Sequence, residues 1–224
     1  HLIRAAWLGA KNQQDSIRAE KLREELKNSR IVLAMSQIRT HFVFNILNAI
    51  SGMCEYDPQK ADKTLVMFAH YLRSNINIME EDEPETFTKS LEHLEKYVFL
   101  EQVRFGEKIQ FAKNIEADNF KIPPLVLQPL VENAIRHGLL HKKQGGTVIL
   151  HTWAENGDSI IEISDDGVGF DMANAPGQES VGMKNVRFRL KYMVGGTMDI
   201  KSTPGPGTTV TITIPGKHKI QKTE

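Results

Sequence analysis

The stretch DSIIEISDDGVGF, residues 158–170, alternates apolar and polar side chains and then stops on two aspartates and two spaced glycines. A period of two marks a strand with one face on a core. Asp165 and Asp166 end that strand, and Gly167 and Gly169 leave bare backbone beside them. A carboxylate at a strand end next to closely approaching backbone suits a flat base edge, because it accepts the hydrogen bond that an adenine amino group donates. The stretch is not a dinucleotide fingerprint, since the third glycine and the following helix are missing. Nor is it an EF-hand loop, which needs spaced oxygen ligands and a terminal glutamate. A tight turn after a strand is the plain alternative.

Working outward, TVILHTWAENGDSIIEISDDG (147–167) predicts a hairpin joined at Asn156-Gly157. Before it, SLEHLEKYVFLEQVRF (90–105) has helical periodicity, KIQFAKNI (108–115) reads as a strand, and PPLVLQPLVENAIRHG (123–138) predicts a helix opened by prolines and closed by Gly138. After it come a short helix, VGMKNVRFRLKYMVG (181–195), and a last strand pair, TMDIKS and TTVTITIP, turned by PGPG. Helices beside a largely antiparallel sheet predict an α/β sandwich of the α+β class.

The chain ahead of this region is of another kind. Residues 11 to about 80 read as helix throughout, and no glycine lies between Lys11 and Ser51. A seam of Ala19, Leu22, Leu26, Ser29, Leu33, Ser36, Thr40, Val43, Leu47 and Ile50 steps by three and four, which predicts a loosely packed coiled coil. Asp57-Pro58 breaks it, and residues 61–78 supply a second amphipathic helix. Two helices alone bury too little surface, so a homodimer forming a four-helix bundle is expected. The acidic EEDEPE (80–85) sets the boundary, giving helices over 1–82 and the sandwich over 83–224.

Lys+Arg 28 against Asp+Glu 28 leaves no field that favours nucleic acid. The single cysteine, Cys54, excludes an internal disulfide framework. The opening HLIRAAWLGA fits either the cytoplasmic end of a membrane helix or an ordinary helix start.

Three further clusters carry possible chemistry. Asn133, Arg136 and His137 fall three and four residues apart, which predicts one shared helix face. The asparagine would offer a neutral oxygen to Mg²⁺, and Arg136 and His137 would meet phosphate or ribose. A surface helix with a Glu132–Arg136 pair is the bland alternative, and Gly138 argues against zinc on His137 and His141. Gly182 opens a helix whose free amides suit phosphate oxygens, with Lys184 and Asn185 in its first turn. Around THFVFNIL (40–47), Gln37, His41, Asn45 and Asn48 make a polar stripe on an otherwise apolar helix. A lone histidine there is ordinarily an interface residue.

Taken in order, the helix asparagine, the DxGxG after a strand, the glycine at a helix start and GTT before a last strand resemble the N, G1, G2 and terminal boxes of the GHKL ATPase fold, over roughly residues 85–216. With THFVFN upstream and QVRFGEKI between, the whole chain resembles the cytoplasmic core of a LytS-like sensor histidine kinase. The resemblance implies ATP and Mg²⁺ as cofactors, with His41 taking phosphate and passing it to a response regulator. It implies Asn133 on the metal, Asp165 on adenine, and Gly167, Gly169 and Gly182 flanking the nucleotide lid. Thr208 and Thr209 fall at the last adenine-side contacts, and Asn45 at the offset of a phosphatase residue in other kinase families. A bacterial membrane anchor upstream of the chain is also implied. The chain departs from the family pattern at Thr40, Phe42 and Ser180, where proline, an acidic neighbour (in many other histidine kinases) and glycine are usual. A GHKL dimer acting as a scaffold or ATPase without histidine phosphorylation is the alternative.

Overall fold

The computed structural model describes residues 40–78, 83–171 and 181–216. The seam from Ala19 to Ser36, the stripe member Gln37, the boundary residues 80–82 and the departure at Ser180 lie outside them. Among the described residues no helix is long and apolar enough to cross a membrane.

Helix α1 (Thr40–Tyr56) buries Phe42, Ile46, Ile50 and Met53, a stripe at steps of four, four and three. It ends where Asp57 turns back as a cap, its Oδ1 accepting the Lys60 amide at 3.0 Å, and Pro58 opens α2 (Pro58–Ile78). Helix α2 answers with Ala61, Thr64, Phe68, Tyr71 and Asn75, all buried. The break at Asp57-Pro58 is therefore where the sequence placed it, and helix α2 begins three residues earlier than the periodicity indicated.

A two-residue strand, β1 (Glu85–Thr86), pairs with β3 (Lys121–Ile122), a ribbon too short for periodicity to reveal. Thr86 caps helix α3 (Phe87–Phe105), its side chain accepting from the Lys89 amide. Helix α3 seats the hairpin: the Phe42 ring lies 5.5 Å from Tyr71 and 5.7 Å from Tyr97 between centroids. One continuous hydrophobic cluster runs from α1 into the sheet.

The main sheet runs β2 (Ile109–Ile115), β4 (Gly146–Glu155), β5 (Asp158–Asp165), β7 (Gly207–Ile214) and β6 (Thr197–Thr203). The β2–β4 pair is parallel and the other three pairs are antiparallel. Val148, Leu150, Ile161, Ile163, Val210 and Ile212 point to the helices, and Ile149 on the other face is exposed. The expected α+β sandwich is thus present, with the hairpin turn at Asn156-Gly157 and the last pair as read.

Helix α4 (Leu127–Asn133) corrects the sequence reading at both ends. Pro123 and Pro124 lie in the turn before it, where Leu125 takes a φ of 57°. Gly138 does not stop it: a π turn, Ala134–Gly138, and a 3-10 turn, Leu139–His141, carry the helix on. Gly138 keeps a helical φ of −93°, so it serves a close approach rather than a left-handed stop. Helix α5 (Val181–Arg189) also widens into a π turn, Leu190–Val194, and closes at left-handed Gly195 as read.

Candidate functional site

Asp165 ends β5 on the helix-facing side, 7% exposed. Its Oδ1 accepts the Gly167 amide at 2.9 Å. Burial pushes its carboxyl up from the usual range, while the amides of Gly167 and Thr208 pull it back. Thr208 is its register partner on β7. The two glycines here are steric requirements: a Cβ on Gly167 would overlap the Gly138 backbone, and one on Gly138 would reach the Asp165 carboxylate. Gly169 sits at φ 61°, with the Thr203 carbonyl where a side chain would go. Next to it, the Phe170 amide donates to Ser202 Oγ at 3.0 Å, and that hydroxyl lies 3.0 Å from Thr208 Oγ1. The result is a buried carboxylate in a cradle of bare backbone. That acceptor, beside bare backbone, fits a planar base carrying an amino group. Among the described residues no cluster of three His, Cys, Asp or Glu could hold a metal.

Thr209 parts from this cradle. Adjacent strand residues face opposite ways, and Thr209 lies with Lys201 and Thr203 in a shallow depression on the other side of the sheet. The expectation that it joins Thr208 beside the base is corrected by that alternation.

Asn133 at the end of α4 and Arg136 and His137 in the π turn also divide. Asn133 Nδ2 lies 3.1 Å from Met183 Sδ of α5, next to exposed Gly182, Lys184 and Asn185. Arg136 instead pairs with Glu132 and, with Gln128, forms a stripe at steps of four along the opposite wall. His137 is exposed. The π turn that begins at Ala134 turns less per residue than an α turn, so Arg136 stays in line with Glu132 four residues back and parts from Asn133 three residues back.

That second wall belongs to a cavity of about 370 Å³ containing His41. Tyr71, Tyr97, Glu101 and Arg104 complete it with Phe42. Glu101 is buried and held by Arg104 at 2.9 and 3.0 Å and by the Tyr97 hydroxyl at 3.3 Å. Burial raises its carboxyl, against the pull of Arg104. Burial also lifts the Tyr71 hydroxyl to about 12. Gln128 donates to Tyr71 at 2.8 Å, and its Oε1 lies 3.0 Å from Nε2 of buried His93. This polar chain between α2, α3 and α4 was missed in the sequence; Gln128–Glu132–Arg136 at steps of four was the signal that could have found it. His41 itself is exposed, and Asn45 Nδ2 lies 3.0 Å from its Nδ1.

The family model described as Histidine kinase matches residues 29–109, and that described as Histidine kinase-, DNA gyrase B-, and HSP90-like ATPase matches residues 123–218. YwpD of Bacillus subtilis (strain 168) is 34% identical over 187 residues, covering 80% of this chain and 67% of that protein. The Staphylococcus haemolyticus sensor protein LytS is 32% identical over 218 residues, 91% of this chain and 37% of that one. The chain belongs to the LytS-like sensor histidine kinases. Sensor histidine kinase YpdA of Escherichia coli (strain K12) is 36% identical to this LytS-like chain over 92% of it, which is 38% of YpdA. The LytS-like core therefore spans well under half the length of the LytS and YpdA relatives. Its fold matches the histidine kinase domain of the Erythrobacter litoralis EL346 blue-light activated histidine kinase, with a TM-score of 0.51 at 17% identity over 84% of this chain and 94% of that one.

Proposed function

We propose that the chain is the kinase core of a two-component sensor: it moves the γ-phosphate of Mg-ATP to His41 and from there to an aspartate of a response regulator. One observation supports this most. An exposed histidine on a helical hairpin opens into a cavity whose far wall is the helix that carries Asn133. A neutral imidazole holds a ring-nitrogen lone pair for attack. Asn133 would place the metal, Asp165 would read adenine, and the amides at Gly182 with Lys184 and Asn185 would take phosphate oxygens. Arg136 would add positive charge near the transferred group, and His137 would meet phosphate or ribose.

In this arrangement α4 turns one face to His41 and another to α5. Transfer thus calls for the sandwich to swing against the hairpin, which orients the reactants before chemistry. The helices up to residue 82 would dimerise, residues 83–224 would form the catalytic unit, and the missing length of the longer relatives would carry the sensor and membrane attachment. Asn45 would also orient a water in the reverse reaction, removal of phosphate from the regulator.

Incubation with γ-labelled ATP tests the reading. The label should be lost in acid, survive base and map to His41. Base-labile label, or none with ATP still bound, would favour a serine kinase or a scaffold respectively.

A further inference from the structure

Two arginines line the His41 cavity on the side of α4 away from the nucleotide. Arg104 stands near the end of α3 and Arg136 in the π turn, whereas Asn133 faces α5. Each guanidinium is oriented by a glutamate one turn before it. Arg104 Nη1 donates to both oxygens of Glu101 at 2.9 and 3.0 Å, and Arg136 Nη1 lies 3.4 Å from Glu132 Oε1. Arg104 also lies over the Phe105 ring, 4.5 Å from its centroid. In both pairs the cation is the more exposed member, with side chains 16% against 4% exposed and 43% against 20%. An anion entering the cavity therefore meets guanidinium before carboxylate. A guanidinium carries five N–H donors in a planar fork, so a glutamate on Nη1 fixes the plane and leaves Nε and Nη2 for a second ligand.

We propose that Arg104 and Arg136 form a seat for the phosphoryl group after it has reached His41, so that the docked hairpin is the arrangement that holds the phosphorylated histidine. The inference rests on the kinase reading and deepens it. A phosphoryl group brings roughly −1.5 to −2 of charge and three acceptor oxygens, which suit the open edges of two guanidiniums. His41 belongs to the hairpin and both arginines to the sandwich, so the new bonds join the two. They add to the contact that Phe42, next to the histidine, makes with Tyr97. Phosphorylation then tightens the docking. It also leaves α4 between the phosphoryl group and the nucleotide side, which keeps the product away from ADP.

The test uses the whole chain phosphorylated on His41, either by ATP or by phosphoramidate, which hands its phosphoryl group to an exposed imidazole and leaves as ammonia. His41→Gln treated in the same way identifies signals from other histidines. In wild type the ³¹P signal of phospho-His41 should titrate about one pH unit below that of free phosphohistidine, because the arginines favour the dianion. Phosphorylation should also raise the melting temperature by about 2–4 °C. Arg104→Gln is made together with Glu101→Gln, which puts two amides in place of the ion pair and strands no buried carboxylate. The double variant should move the titration at least halfway to the free value and lose most of the melting shift. Arg104→Lys, which keeps the charge but not the fork, should fall between the two. A wild-type titration equal to that of free phosphohistidine would overturn the proposal, as would a double variant that titrates like wild type. If the double variant does not fold, the wild-type titration and Arg104→Lys decide. Phosphoramidate needs no ATP. A chain that takes phosphate from it but not from ATP therefore sinks the kinase reading alone, while an unshifted titration sinks this one.

Discussion

At the scale of single residues, the proposed function assigns base and metal to separate side chains. Asp165 would bond the adenine amino group directly, and Asn133 would act only through Mg²⁺. Asp165→Asn should therefore weaken ATP about tenfold or more with or without Mg²⁺, the ordinary cost of an unsatisfied buried donor. Asn133→Ala should weaken it only when Mg²⁺ is present. Titration calorimetry in both conditions checks this, and equal metal-independent losses would contradict it. His41→Gln should abolish labelling while leaving the ATP dissociation constant within about twofold, since the histidine lies across α4 from the nucleotide side. Label that persists would move the acceptor to another histidine, exposed His70 first.

At the scale of elements, the cradle depends on two backbones touching. The end of the π turn and the start of the DxGxG loop meet at Gly138 and Gly167 with no room for a methyl on either. Gly167→Ala should cost about 2–4 kcal/mol of stability, because backbone must move to admit the Cβ. Denaturant unfolding measures this, and a loss under about 0.5 kcal/mol would mean the loop has slack. The glycines were legible in the sequence as a pattern, as were the strands, since Ile161, Ile163 and Asp165 alternate cleanly. What they touch was not legible, because the contact joins residues almost thirty apart. Gly138 was misread as a stop for the same reason: one glycine serves a turn or a close approach, and only the partner decides. The π turn was hidden too. No residue type marks it, yet it sends Arg136 toward His41 and leaves Asn133 against Met183. Thr209 failed differently, through strand parity that two adjacent threonines cannot reveal.

At the scale of the whole molecule, hairpin and sandwich share one core, and a histidine sits at their junction. His93 is buried, stacked on Tyr71 at 5.5 Å and bonded to Gln128. Burial first, and Lys96 to a lesser degree, depress it from 6.5 to about 4, against the pull of Gln128. The unfolded chain therefore binds more protons between those values, and stability falls as pH drops through that window. Raised Glu101 and Asp165 act with the opposite sign, so the comparison must be with His93→Gln. Wild type should lose about 2 kcal/mol more than this variant between pH 7 and pH 5. Parallel denaturation curves at the two pH values would refute a buried neutral histidine.

The same docking leaves apolar side chains outside. Phe44 and Leu47 on α1, and Leu65 and Val66 on α2, are 42–60% exposed, although the stripe that packs within the chain is Phe42, Ile46, Ile50 and Met53. Leu47 belongs to the seam expected to pair two chains, while Phe42 does not. An intrachain face and a second apolar face on one hairpin are what a four-helix bundle between two copies requires. The full chain should thus run as a dimer by light scattering at micromolar concentration. Phe44→Glu with Leu47→Glu should give a monomer of unchanged melting cooperativity, because neither side chain supports the internal core. It should still bind ATP, since the cradle is built wholly within one sandwich. A monomeric wild type would remove the bundle. A double variant that unfolds instead of dissociating would mean these residues stabilise the hairpin itself.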